Sequence, residues 1–125
     1  MRWSAGPGHG FTEEGVEPWL PFGSGPDVES QRDDPGSILC LCRDLLAARR
    51  ERDDLRSGAY ESLPAPDGVW AWKRGDGHAV AMNLGEAEAT ADLTGTILVG
   101  SNRERDGERV EGLRLGASEA VLLAL

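Results

Sequence analysis

The chain has 125 residues, of which 39% are hydrophobic and 28% charged, and its net charge is −9. This length allows about one domain with a modest core, and the composition is ordinary for a soluble globular protein. The acidic balance disfavours a nucleic-acid partner, because phosphate neutralisation needs clustered cations and only 13 Lys and Arg are spread along the chain. No apolar run approaches the ~20 residues of a membrane span and no apolar signal-peptide core is visible, so we expect a cytoplasmic protein without a membrane partner.

Residues 1–33 show neither helical nor alternating periodicity, yet they carry several large apolar groups. A long loop of this kind is usually functional or packed on another body, because an exposed surface of that size is rare on soluble monomers. We predict an irregular loop in which Trp3, Phe11 and Trp19 contact either a neighbouring domain or a sugar ring. Contact with a neighbouring domain is the favoured interpretation.

Asp34-Pro35 predicts the start of a helix, since Asp34 can cap it and Pro35 suits the first helical position. The helix should end near residues 52–55, with Gly58 completing the exit. Arg49 projects from the middle of the apolar arc, and we expect it either to reach a carboxylate or carbonyl beyond the helix end or to form a buried pair between two domains. The apolar residues that fall within this one broad arc are Ile38, Leu39, Leu41, Cys42, Leu45, Leu46 and Ala48.

The two cysteines, Cys40 and Cys42, lie about 200° apart around a helix and cannot bridge each other there. Together with the two distant histidines they do not form a zinc set, so we expect no metal and no cofactor. We expect Cys42 to fill the core and Cys40 to be a surface thiol.

From Ala59 onwards the hydrophobic period changes to two, which predicts short antiparallel strands separated by turns. Gly75-Asp76-Gly77 is a strong hairpin signal between two of them, and Thr94-Gly95 predicts a second tight turn. About seven strands in such an order indicate a small β-sandwich, so the fold class is mainly β with one amphipathic helix. The predicted strands are Tyr60–Leu63, Val69–Arg74, Ala79–Leu84, Ala89–Leu93, Thr96–Val99, Leu113–Leu115 and Ala120–Leu125.

The motifs before Tyr60 resemble those of the α-amylase superfamily, and most of all its α-glucosidase and oligo-1,6-glucosidase branch of glycoside hydrolases. A Pro-Trp-Leu-Pro loop, a Val-Glu-x-Gln segment and an Asp-Pro-x-Ser helix start follow in the family's order, and a Gly-x-Tyr entry leads into a β-domain. Arg2 stands where the family has a glutamine. The motif segments are Met1–Trp3, Gly10–Thr12, Pro18–Pro21, Val28–Gln31, Asp34–Ser37 and Gly58–Tyr60.

The resemblance implies a C-terminal fragment. Residues 1–57 would be the end of a catalytic barrel, a loop plus the last helix, and residues 58–125 the C-terminal antiparallel β-domain. The family's catalytic carboxylates lie on earlier barrel strands, so no catalytic residue is expected in this chain and no activity from the chain alone. A retaining glycosidase needs two carboxyls about 5 Å apart, and the acids here read instead as helix-terminal or solvated groups. The expected role is to support a separate or attached TIM barrel that acts on α-glucosides.

Two alternatives stay open. A stand-alone carbohydrate-binding module could use Trp70 and Trp72, which share one face of their strand, although we expect those two indoles to pack in the core. A truncated product without function is the third interpretation.

Overall fold

The computed structural model describes all 125 residues, and these form two compact units, residues 1–43 and residues 44–125. The boundary lies inside the second helix. The domain boundary expected between residues 57 and 58 stays a prediction. No helix is both long enough and apolar enough to cross a bilayer.

The first unit is mostly irregular, as the sequence predicts, and is held by backbone hydrogen bonds between distant segments. A 3-10 turn covers Pro7–Gly10, and helix α1 covers Val28–Gln31. The amide of Trp3 donates to the carbonyl of His9 at 2.8 Å, and the amides of Val28 and Glu29 donate to the carbonyls of Arg2 and Trp3 at 3.0 Å. The first three residues are therefore fixed against the start of α1.

Helix α1 is capped by Asp27, whose Oδ1 accepts the amide of Ser30 at 2.8 Å. That amide is the main reason why the pKa of Asp27 lies below its ordinary value of 3.8, with the Ser30 hydroxyl and the Arg2 guanidinium acting in the same direction against desolvation. The sequence reasoning missed this short helix because four residues are too few for a visible period.

Helix α2 covers Ile38–Glu51, and α3 covers Asp53–Ser57. The predicted cap at Asp34 is wrong: Asp34 accepts the amide of Gly36 in a local turn, and Ser37 caps α2 through its hydroxyl, which accepts the amide of Cys40 at 3.2 Å. Because Ser37 Oγ also donates to the carbonyl of Gln31 at 2.8 Å, the same residue ties α1 to α2.

The expected positions of the two cysteines are reversed. Cys40 is buried, with its thiol near the carbonyls of Gln31 and Arg32, whereas Cys42 is exposed. The amphipathic pattern misled the assignment because α2 carries apolar residues on two of its sides, and the side that is buried in this chain is not the widest apolar arc.

The second unit contains six strands: β1 Tyr60–Leu63, β2 Val69–Arg74, β3 His78–Asn83, β4 Ala89–Gly100, β5 Arg109–Leu115 and β6 Ala120–Ala124. All neighbouring pairs are antiparallel, in the order β1-β2-β3-β6-β4-β5. The β2–β3 hairpin forms at the predicted turn, where Arg74 pairs with His78. The mainly β class is confirmed.

The second predicted turn, Thr94-Gly95, is wrong. These residues lie inside the long strand β4, next to an irregularity between Ala91 and Thr94. The first part of β4 pairs with β5 and its last part pairs with β6, so Thr96 has partners on both strands. Because residue 95 is a glycine, β4 can approach its neighbouring strand closely at this point. The two strands predicted on either side of Thr94-Gly95 are therefore one strand, and the sheet has six strands instead of seven.

The core lies on one face of this continuous sheet. Ala71 and Ala81 from the first hairpin belong to the same buried cluster as Leu113 and Leu115 from the last strand pair. Because Leu113 and Leu115 are fully buried and no helix belongs to the cluster, the sheet folds over its own apolar face. All six strands belong to this one sheet.

Buried polar groups close the ends of the sheet. Asn83 donates through Nδ2 to the carbonyls of Ala87 and Gly116 at 2.7 and 2.8 Å, and its Oδ1 accepts the amide of Gly85. Glu119 accepts the Gly116 amide and an Arg105 N–H, and the bonds of Arg105 to Glu108 and Glu119 raise its pKa. These loops are therefore ordered by satisfied hydrogen bonds.

A substitution at Gly95 tests the strand crossing. In Gly95→Ala the new Cβ would overlap the backbone carbonyl of Ala124, so we expect a loss of about 2–3 kcal/mol in the free energy of unfolding. Urea unfolding followed by circular dichroism measures it. The control is Gly23→Ala, where a Cβ meets no atom within 4 Å. Equal midpoints for the two variants would contradict this account of β4.

The lowered pKa of Asp27 predicts a pH-dependent contribution to stability. A carboxylate whose pKa is lower in the folded state contributes its full stabilisation of the fold at pH values above its unfolded-state pKa of 3.8. This contribution is lost as the pH falls through the pKa of the folded state. Asp27→Asn keeps a cap acceptor but removes the charge, so it should be less stable than wild type at pH 7, with a difference that shrinks below pH ~4. Urea midpoints across pH 3–7 measure this. The exposed Asp33→Asn should show little difference at any pH.

Candidate functional site

A cavity of about 530 Å³ opens in the first unit, between the N-terminus and the proline-rich loop. Most of its wall is apolar or aromatic, and Phe11 and Phe22 meet edge to face with their ring centres 6.1 Å apart. The lining residues are Met1, Arg2, Phe11, Pro18, Trp19, Leu20, Pro21, Phe22, Gly23 and Ser24.

The three residues predicted to contact a sugar or a neighbouring domain are separated by the structure. Phe11 and Trp19 line the cavity, but Trp3 does not. All three are exposed: Trp19 is 97% accessible, Phe11 59% and Trp3 49%. Whether they bind a sugar or a neighbouring domain stays a prediction.

Arg2 is the one charged side chain of the cavity wall. Its Nη1 donates to the carbonyl of Gly25 at 2.7 Å, while its Nε is buried without a hydrogen-bond partner. No carboxylate lines the cavity, so it offers apolar contact and one cation but no acid–base pair for bond cleavage. No group of three or more His, Cys, Asp or Glu side chains is placed to hold a metal ion.

A second unusual surface runs along one side of α2. We define the α2 stripe as Ile38, Cys42, Leu45, Leu46 and Arg49, whose spacings of three and four place them on one helical face. All five are exposed, and Ile38, Leu46 and Leu45 are 69%, 59% and 40% accessible. An apolar helix face of this kind normally lies against another body.

Arg49 neither reaches past the helix end nor pairs with a group of this chain, so the first of its two predicted roles is wrong. Arg52 instead contacts the carbonyl of Ala48 at 3.4 Å. One of the acids expected to be helix-terminal or solvated, Asp54 in the first turn of α3, also accepts the amide of Gly77 at 3.0 Å and lies 3.3 Å from a ring nitrogen of His78.

Trp70 and Trp72 do not pack in the core, contrary to expectation. Their ring centres are 4.6 Å apart, and Trp70 is 50% accessible. Ala71 between them points to the core, which leaves both indoles on the opposite face of the sheet. Strand periodicity gave the shared face correctly but could not tell which face the core occupies.

The sequence of the chain is similar to part of two glucosidases. No protein-family model matches the chain. A glucan 1,6-alpha-glucosidase of Streptococcus dysgalactiae subsp. equisimilis is 30% identical over 114 residues, which cover 85% of this chain and 21% of that protein. A probable oligo-1,6-glucosidase 2 of Bacillus subtilis (strain 168) is 33% identical over 70 residues, covering 54% of this chain and 12% of that protein. The chain thus spans about a fifth or less of these relatives.

Solved structures agree in fold. The trehalulose synthase MutB from Pseudomonas mesoacidophila MX-45 matches 98% of this chain with a TM-score of 0.83, at 20% identity and over 24% of its own length. The isomaltulose synthase PalI from Klebsiella sp. LX3 matches 98% with a TM-score of 0.80, also at 20% identity and 24% of its length. At this identity the likeness establishes the fold.

Sequence and fold together confirm the resemblance given by the loop and helix motifs. Matches confined to a small share of much longer enzymes fit a non-catalytic portion. The chain corresponds to the C-terminal, non-catalytic portion of an α-glucosidase-like glycoside hydrolase.

Proposed function

We propose that this chain supports the catalytic barrel of an α-glucosidase-like enzyme that acts on α-glucans or oligosaccharides. The barrel would cover the α2 stripe and the loop that carries Trp3, Phe11 and Trp19. Whether the barrel belongs to the same polypeptide or to a separate one, the chemistry of the contact is the same.

The observation that carries this proposal is the exposure of the α2 stripe. Full burial of a leucine or isoleucine side chain stabilises by about 1.5–3 kcal/mol, so Ile38, Leu45 and Leu46 together represent a substantial driving force for association. The relatives supply the body that would cover them, since most of each relative lies outside the matched region.

Cys42 provides a direct probe of this contact. In the isolated chain N-ethylmaleimide should modify the exposed Cys42 faster than the buried Cys40. Saturating amounts of the catalytic barrel of the Bacillus subtilis relative, expressed without its matching segment, should slow the modification of Cys42 about tenfold or more. Peptide mass spectrometry of timed samples measures both rates.

The matched variants compare two exposed leucines. Leu46→Asp should abolish co-purification with that barrel because it places a carboxylate inside the stripe. Leu84→Asp changes a leucine of similar exposure (66% against 59%) outside α2 and should leave binding intact. A barrel that leaves Cys42 as reactive as before, or that ignores the wild-type chain, would refute the proposal.

Carbohydrate binding by the second unit (residues 44–125) is the second candidate function, favoured by the exposed indole of Trp70 beside the half-buried Trp72. Indole faces offer flat apolar area on which a sugar ring can stack. If this surface binds sugar, calorimetry with maltooligosaccharides should show heat that Trp70→Ala removes and Trp19→Ala keeps. No heat at millimolar sugar would exclude useful binding.

A further inference from the structure

Arg49 is the last residue of the α2 stripe along the helix and lies near the middle of the stripe around the helix axis. It follows Leu45 by four residues and Leu46 by three, so its side chain leaves the helix on the face that those leucines occupy. Its guanidinium has neither a hydrogen bond nor an ion pair within the chain, and the residue is exposed.

The neighbouring arginines behave differently. Arg50 Nε donates to the carbonyl of Leu46 at 3.3 Å, and Arg52 donates to the carbonyl of Ala48. Arg56 pairs with Asp53 on α3. Arg103 reaches Asp44 on α2 at 2.6 Å, and this bond to Asp44 raises the pKa of Arg103. The chain thus supplies partners for the arginines around Arg49 but none for Arg49 itself.

Covering the leucines would remove water from Arg49 as well. A guanidinium stays protonated in proteins, so it cannot escape the cost of desolvation by losing its proton. A buried cation needs an anionic, hydrogen-bonded partner, and a carboxylate matches the two parallel N–H groups of a guanidinium.

We propose that Arg49 forms a buried ion pair with an aspartate or glutamate of the catalytic barrel that covers the α2 stripe. This inference rests on the proposed function, because the occupant of the stripe is the barrel. The structural relatives favour that occupant: the fold of this chain makes up 24% of each of them, so about three quarters of each polypeptide lies outside the matched region and can supply a covering body.

A second copy of this chain fits the stripe less well. In a two-fold symmetric contact the stripe faces the same stripe, which contains no carboxylate, so Arg49 would be buried without an anionic partner. The net charge of −9 adds repulsion between copies. Neither objection applies to a different partner that presents a carboxylate.

Three variants test the ion pair. Arg49→Met keeps an unbranched chain of roughly similar length but removes the charge. Arg49→Lys keeps the charge without the two parallel N–H donors. Arg50→Met is the matched control at the adjacent position of the helix. Each is titrated against the barrel of the Bacillus subtilis relative that lacks its matching segment. We expect binding about a hundredfold or more weaker for Arg49→Met, about tenfold weaker for Arg49→Lys, and within about twofold of wild type for Arg50→Met.

Thermal melting of each isolated variant separates folding from binding. Because Arg49 is exposed and without contacts in this chain, the midpoint of Arg49→Met should match that of wild type. Barrel variants with single Asp→Asn or Glu→Gln changes then identify the partner: one of them should weaken wild-type binding while leaving Arg49→Met binding unchanged.

The outcomes are distinguishable. Wild-type binding together with unimpaired Arg49→Met binding would overturn the ion pair and leave the supporting role intact. Failure of the wild-type chain to bind would overturn both. A fusion protein, in which this chain replaces the matching segment of the relative, gives a second readout. In that fusion Arg49→Met should lower the melting temperature and Arg50→Met should not.

Discussion

Helix α2 has apolar side chains on two sides, and only one of those sides is buried within this chain. Cys40 and Ala48 are buried, whereas Ile38, Leu45 and Leu46 remain exposed. An exposed apolar helix face of this size normally lies against another body. This explains why the large apolar residues of α2 are exposed. The buried Ser37 caps the start of the helix and also hydrogen-bonds α1, so the helix is fixed on that side while its other side faces outwards.

The second unit, residues 44–125, buries most of its apolar core within its own sheet. Its sheet folds over a core in which Ile97, Leu113 and Leu123 are fully buried, and its end loops are closed by Asn83 and Glu119. Each of these polar groups is buried and satisfied, which makes the loops specific as well as stable. The surfaces that need a partner are therefore the α2 stripe and the loop that carries Phe11 and Trp19, while the sheet contributes the exposed indole of Trp70 beside the half-buried Trp72.

Local patterns predicted a large part of this molecule. The alternation of residues gave β1 and β2 with their observed bounds, and Gly75-Asp76-Gly77 gave the hairpin. The turn predicted at Thr94-Gly95 is wrong because a glycine that allows two strands to pass closely cannot be told from a turn glycine in the sequence. The core side of α2, the face of the Trp70–Trp72 pair and the roles of Asn83 and Asp54 also could not be predicted, since each depends on contacts between distant residues. Of the predicted site, Phe11 and Trp19 share a cavity, but no pattern indicated that Arg2 would be its only charge.

Apolar contact alone would leave the docking of α2 poorly defined. A stripe that repeats every three to four residues presents similar surfaces after a shift of one helical turn, about 5.4 Å, so the leucines contribute affinity but little register. A single buried charge changes this, because only one register joins it to its partner and every other register leaves it desolvated and alone. Arg49 is the residue of the stripe that can impose such a choice. On this argument the arginine costs the isolated chain nothing, since water solvates it, and it acts only when the leucines around it are covered.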